Sequence, residues 1–258
     1  MKNYFSKIIL ILVLIFLIGP FFIIFIASFG ANENLSFPPD SFSFKWFEKV
    51  VSMKMFRDAF FLSLRIGLLA SLFAMLLGVP VAYVTSRYNF WGKKFIEFTT
   101  TLPVIIPQMV AGLALMRYFV NFSIFSVETT LLIGHVAIVI PFVIRNVLST
   151  LVNFPSSMEE AAISLGSSRV KAFFLIVIPN ISAGLISAFI LTFITSFNNV
   201  PVSLFLTGPG VSTLPIVMMT YMEYYYNPSI AALSTLLIGI TVLIVLTSQK
   251  LLNTTKYM

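Results

Sequence analysis

Ile8-Ile9-Leu10-Ile11-Leu12-Val13-Leu14-Ile15-Phe16-Leu17-Ile18-Gly19-Pro20-Phe21-Phe22-Ile23-Ile24-Phe25-Ile26-Ala27-Ser28-Phe29 carries no charged side chain from end to end. A helix needs roughly 20 apolar residues to cross the hydrocarbon core of a bilayer, so this run predicts a membrane-spanning helix. It is longer than the ~7 to 15 residues of a secretory h-region and lacks a small-residue cleavage site. It therefore reads as a retained helix.

The rest of the chain has the same character. Of 258 residues, 59% are hydrophobic and 10% charged, against about 25% charged in soluble domains. With 28 Phe, the surface would aggregate in water unless lipid or other helices covered it. The net charge of +7 comes from Lys and Arg scattered singly or in pairs, which points to membrane-surface anchoring rather than to nucleic acid. There is no Cys and only one His, His135, so neither a disulfide framework nor a cysteine–histidine metal site is expected.

Six stretches are apolar enough to span: 8–29, 60–84, 102–118, 130–151, 181–206 and 230–247. The expected fold class is thus all-α, a polytopic membrane protein with six transmembrane helices in one domain, 1–258. With the N-terminus in the cytoplasm, Lys2, Lys7, Arg87, Lys93, Lys94, Arg145, Arg169, Lys171, Lys250 and Lys256 lie inside, ten of the 16 basic residues. Positive residues accumulate on the cytoplasmic side, so this orientation is favoured, with both termini inside. It puts 152–180 in the cytoplasm and 30–59, 119–129 and 207–229 outside. Trp46, Phe47 and Phe56 are expected at the outer headgroup level, Arg65 and Arg145 are expected to snorkel, and His135 to be a satisfied interhelical donor.

The cytoplasmic segment is the informative one: Pro155-Ser156-Ser157-Met158-Glu159-Glu160-Ala161-Ala162-Ile163-Ser164-Leu165-Gly166-Ser167-Ser168-Arg169. Ser156 followed three residues later by Glu159 predicts a capping box and a helix start. Met158, Ala161, Ala162 and Leu165 then share one apolar face. Gly166 suits the left-handed residue that ends a helix, and Ser167 or Ser168 caps a second one that Pro179 should stop. A short helix with small residues and two carboxylates on its surface is suited to docking, Glu159 and Glu160 offering acceptors to a partner's Arg or Lys.

This segment resembles the EAA motif of ABC importer permeases of the type I family. Glu160, Ala161, Ala162, Gly166, Ile176 and Pro179 fall at the motif's spacing, with Ile178 in place of its Leu. The resemblance implies a type I ABC importer permease fold in which 152–180 carries a coupling helix, with Glu159, Glu160, Ala161, Ala162, Leu165 and Gly166 docking an ATPase subunit. It extends to 63–66 in the second span and to 102–112 in the third. No phosphate-binding G-x-x-x-x-G-K-[ST] loop occurs in the sequence, so no cofactor is expected on this chain and ATP is expected on a partner subunit.

The stretches 199–210, 213–215 and 227–232 resemble the polyamine branch, in particular the second permease of spermidine/putrescine-type importers. The implied substrate is a polyamine, with aminoethylphosphonate or another small solute as the alternative. The implied partners are an ATP-binding subunit dimer, a second and different permease subunit, an extracytoplasmic solute-binding protein and membrane lipid, in a bacterial inner membrane. Thr192, Thr195, Asn198 and Asn199 are the candidates to line the translocation pathway, since clustered polar residues within a span favour a functional face. A secondary transporter would need coupling carboxylates in the membrane, and no Asp or Glu lies in any of the six stretches. A membrane protease would need several metal ligands there.

Overall fold

The computed structural model describes residues 2–101, 105–122 and 126–255, with side chains over 4–101, 105–121, 126–243 and 246–247. Leu102 and Pro103 at the start of the third apolar stretch, Lys256, and the side chains of Lys2 and Lys250 lie outside the described residues. The helices in chain order are α1 (Lys2–Ala27), α2 (Lys45–Ser52), α3 (Lys54–Arg87), α4 (Lys93–Thr99), α5 (Gln108–Phe122) and α6 (Val127–Val152). They are followed by α7 (Ser156–Ser164), α8 (Arg169–Asn180), α9 (Ser182–Phe197), α10 (Ser203–Leu206), α11 (Leu214–Tyr224) and α12 (Ser229–Thr255). The chain divides into two compact units, Met1–Asp58 with Val217–Lys250, and Ala59–Ile216 with Leu251–Met258.

Three of the expected spans are continuous helices long and apolar enough to cross a bilayer: α1, α3 and α6. The fifth, 181–206, opens with α9, which is inclined at 73° to α8 of the preceding segment across Ile181. α5 is 15 residues long; it starts just after Pro107 and runs past the expected end of the third stretch at Tyr118 to Phe122. A proline is pre-organised for a helix start and has no N–H to lose there.

In the first unit, the most apolar window of α1 is wholly unburied. Trp46 and Phe56, expected at the outer headgroup level, are buried within the fold, 3% and 2% exposed. Trp46 Nε1 donates to the Gly30 carbonyl at 2.7 Å, with the Lys45 and Lys49 ammonium groups each 4.8 Å from its ring. Phe56 packs edge-on against Tyr221 at 5.1 Å. A buried indole needs a hydrogen-bond acceptor, and the chain turn after α1 supplies one.

The second unit is built around α6. Leu131, Gly134, His135, Ile138, Val139, Val143, Ile144, Val147 and Leu151 are buried along it, a spacing that keeps one broad face turned inward. Ile66, Ala70, Ala74 and Ala82 of α3 and Ala188 of α9 join them in one cluster. Gly78 of α3 permits a close approach to α6, since a Cβ there would sit 2.8 Å from Val143 Cγ1. Small residues at such crossings let helices pack where no hydrophobic driving force separates protein from lipid.

Candidate functional site

α7 starts at Ser156 without the expected capping box. Pro155 occupies the cap position in extended conformation and no side chain caps the helix. The carboxylate that would close the box is engaged elsewhere: Glu159 accepts from the Tyr83 hydroxyl and from Arg87 Nε at 3.3 Å. Arg87 also donates from Nη2 to the Phe154 carbonyl at 3.2 Å and lies over the Phe154 ring at 5.5 Å. Both ionic side chains are nearly enclosed, Arg87 at 12% and Glu159 at 7% exposure. A buried ion pair outcompetes an exposed cap, because leaving either charge unpaired in the interior is costly.

The two adjacent glutamates therefore part company. Glu159 faces α3, whereas Glu160 is exposed beside a groove of about 570 Å³ lined by Ser86, Arg87, Tyr88, Ile163 and Arg169 among others. This differs from the expectation that both carboxylates face a partner. The face carrying Met158 and Leu165 points away from the chain, with those residues 47% and 89% exposed. Ala161 is exposed and Ala162 half-buried.

The exit from α7 follows the sequence expectation. Gly166 sits at φ +93°, the left-handed region that glycine enters without a Cβ clash. Its N–H donates to Ile163 O at 2.9 Å and the Ser167 N–H to Ala162 O at 3.0 Å, the paired bonds of a Schellman turn. Ser168 then caps α8 by accepting from the Lys171 N–H at 3.3 Å. Arg169 reaches back to α3, its Nη1 3.2 Å from the Tyr88 hydroxyl.

Pro179 does not stop α8 where expected. The helix widens into a π turn over Phe173–Val177, passes the proline and ends at Asn180. A proline ring pushes away the carbonyl four residues earlier, here Leu175 inside that turn, so the wider turn relieves the clash. The Asn180 amide then satisfies the Ile176 carbonyl at 2.7 Å.

Of the four residues expected to line a path, three have side chains committed within the fold. The Thr192 and Thr195 hydroxyls bond to Ala188 O and Leu191 O of their own helix, each at 2.8 Å. Asn199 is 4% exposed; it donates to Gln108 Oε1 and accepts from the Val202 N–H, both at 2.9 Å. Asn198 is exposed. His135 is satisfied between helices, as expected, by Ser196 Oγ at 2.7 Å and Ser203 Oγ at 3.0 Å. Arg65, expected to snorkel, is exposed and pairs with Glu128 at the start of α6. Tyr83, Gln108, Ser203 and the pairing of Arg87 escaped the sequence reading. An Arg at the end of a span looks like any other membrane anchor, and its partner lies 72 residues away.

The family model described as "Binding-protein-dependent transport system inner membrane component" matches residues 74–255. The chain belongs to this family. Similar proteins include the putrescine transport system permease protein PotI of Escherichia coli (strain K12), 30% identical over 239 residues, covering 90% of this chain and 85% of that one. The spermidine/putrescine transport system permease protein PotC of the same strain is 28% identical over 230 residues, covering 89% and 87%. Among solved structures, a chain of a bacterial ABC transporter that imports the acidic polysaccharide alginate superposes with TM-score 0.76 at 16% identity, over 96% of this chain and 95% of that one. A chain of the inward-facing MetNI methionine ABC transporter gives 0.62 at 18% identity, over 77% and 94%. The chain is thus a membrane component of a binding-protein-dependent transporter with an ABC importer permease fold, a transport protein and not an enzyme.

Proposed function

We propose that this chain is one of two different permease subunits of a polyamine importer, with segment 152–180 as its cytoplasmic coupling element. Glu160, Ala161, Ala162, Leu165 and Gly166 dock an ATP-binding subunit dimer that supplies the energy, ATP being bound there. An extracytoplasmic solute-binding protein delivers the substrate. Both termini lie in the cytoplasm of a bacterial inner membrane that the chain crosses six times. Asn198 lines the pathway, and Thr192, Thr195 and Asn199 shape the helix beside it.

The observation that carries this reading is the outer face of α7. Leu165 is 89% exposed on a helix whose exit is fixed by the Schellman turn at Gly166. A rigid apolar knob with a free carboxylate beside it matches the centre of a protein interface, where desolvated apolar anchors dominate. The polyamine assignment is supported by the similarity to PotI and PotC.

Purification of the tagged chain from its native membrane should recover an ATPase subunit, and Glu160→Ala should weaken that recovery. Thermal-shift screening of the co-purifying solute-binding protein should give its largest response with spermidine or putrescine; a response to aminoethylphosphonate alone replaces the substrate and leaves the importer reading intact. For orientation, a membrane-impermeant thiol reagent should label Cys placed at Asp40 or Asn227 but not at Ser167. The native chain has no competing cysteine.

A further inference from the structure

The cytoplasmic end of α3 grips the coupling helix from both sides. Ahead of α7, Arg87 holds the Phe154 carbonyl at 3.2 Å; within α7 it holds Glu159 at 3.3 Å; beyond α7, Arg169 reaches the Tyr88 hydroxyl at 3.2 Å. Tyr83 adds its hydroxyl to Glu159 and packs its ring edge-on against Phe173 at 4.7 Å. These contacts join residues 83–88 to residues 154–173. The direct path along the chain is not straight: it passes through the π turn at Phe173–Val177 and then the 73° bend across Ile181 before reaching α9.

From this we infer that Glu159, Arg87 and Tyr83 form a transmission pin: Glu159 is a positioning residue that ties the coupling helix to α3, so that displacement of the docked helix moves the second span as well as the fifth. The inference rests on the docking role proposed for α7, and it assigns the two neighbouring glutamates opposite duties. Glu160 holds the ATPase, and Glu159 conveys the movement. Burial supports the division, because a carboxylate 7% exposed and bonded by two side chains of its own fold has little left to offer a partner.

A neutralised pin tests it in the complete importer reconstituted in proteoliposomes. Either single change leaves a buried charge unpaired and is expected to lower abundance, whereas the double variant Arg87→Met/Glu159→Gln leaves none and should return to the membrane at normal level. Three quantities are then read: ATPase subunit retained, ATP hydrolysed, and substrate imported per ATP. The expected result is full retention and continued hydrolysis with at least about a fivefold fall in import per ATP, the lower end of coupling between distinct sites. A purely structural role would restore that ratio together with abundance. Tyr83→Phe, which removes one hydrogen bond and keeps the ring on Phe173, should lower the same ratio by less at normal abundance, and it decides the matter if the double variant fails to accumulate. An unchanged ratio overturns the pin. Loss of the ATPase subunit from the double variant also overturns it, by placing Glu159 in the docking face. Failure of the docking reading itself shows separately, as an unmodified complex that holds no ATPase subunit.

Discussion

At Gly166 and again at 198–202 a helical run of the second unit breaks, the first with exposed residues and the second around a buried Asn199. The first turns on a glycine at φ +93°, where an added Cβ would meet nothing within 4 Å, and its neighbour Leu165 stands 89% exposed. The second is tied into the fold: Asn199 bonds Gln108 and the Val202 N–H, while His135 bridges Ser196 on one flank and Ser203 on the other. Polar groups closed on one another within a buried break hold a shape. An apolar projection with no cover of its own is suited to a partner. Helix breaks rich in Gly, Ser and Asn are thus not one kind of site, and satisfaction of their polar atoms separates them.

The largest effect is expected at Asn199. Asn199→Leu strands the Val202 N–H and the Gln108 side chain, at about 1–3 kcal/mol for the buried N–H alone. Membrane abundance and thermal stability in detergent should both fall sharply. Normal abundance would show that this break is not held from within.

Gly166→Val comes next. Left-handed backbone costs an L-residue roughly 1–2 kcal/mol, and no neighbour stands in the way of the new side chain. The protein should reach the membrane at normal abundance while substrate uptake is abolished. A fall in abundance as large as that of Asn199→Leu would erase the contrast between the two breaks.

Asn198→Leu sharpens the comparison within a single pair of residues. Asn198 is exposed beside a buried Asn199, so its replacement should change stability by no more than about 0.5 kcal/mol, as surface changes do. Uptake should fall without loss of assembly, measured as transport per assembled complex. The smallest effect on uptake is expected at Ser168→Ala, which removes the cap on the Lys171 N–H. Such caps are worth about 1 kcal/mol, and here the loss frays only the first turn of α8. Uptake should drop modestly, with the ATPase subunit still recovered.

Much of this was legible in the chain itself. The uninterrupted apolar run 8–29, the left-handed glycine at 166 and the cap at Ser168 depend on local composition and backbone geometry, which neighbouring residues fix by themselves. The spacing of Glu160, Ala161, Ala162, Gly166, Ile176 and Pro179 was likewise enough to indicate the family that the comparison with known proteins establishes. What a side chain does with its charge or its amide was not legible. Ser156 and Glu159 have capping-box spacing, yet Glu159 turns to Arg87 across 72 residues. Asn198 and Asn199 are identical in type and adjacent, yet one is exposed and the other is 4% exposed with two bonds. Helix identity follows from the bilayer and from backbone preferences acting over a few residues. The choice between partner and interior depends on which distant helix arrives at each polar atom, and that was decided only when α3, α6 and α9 packed together.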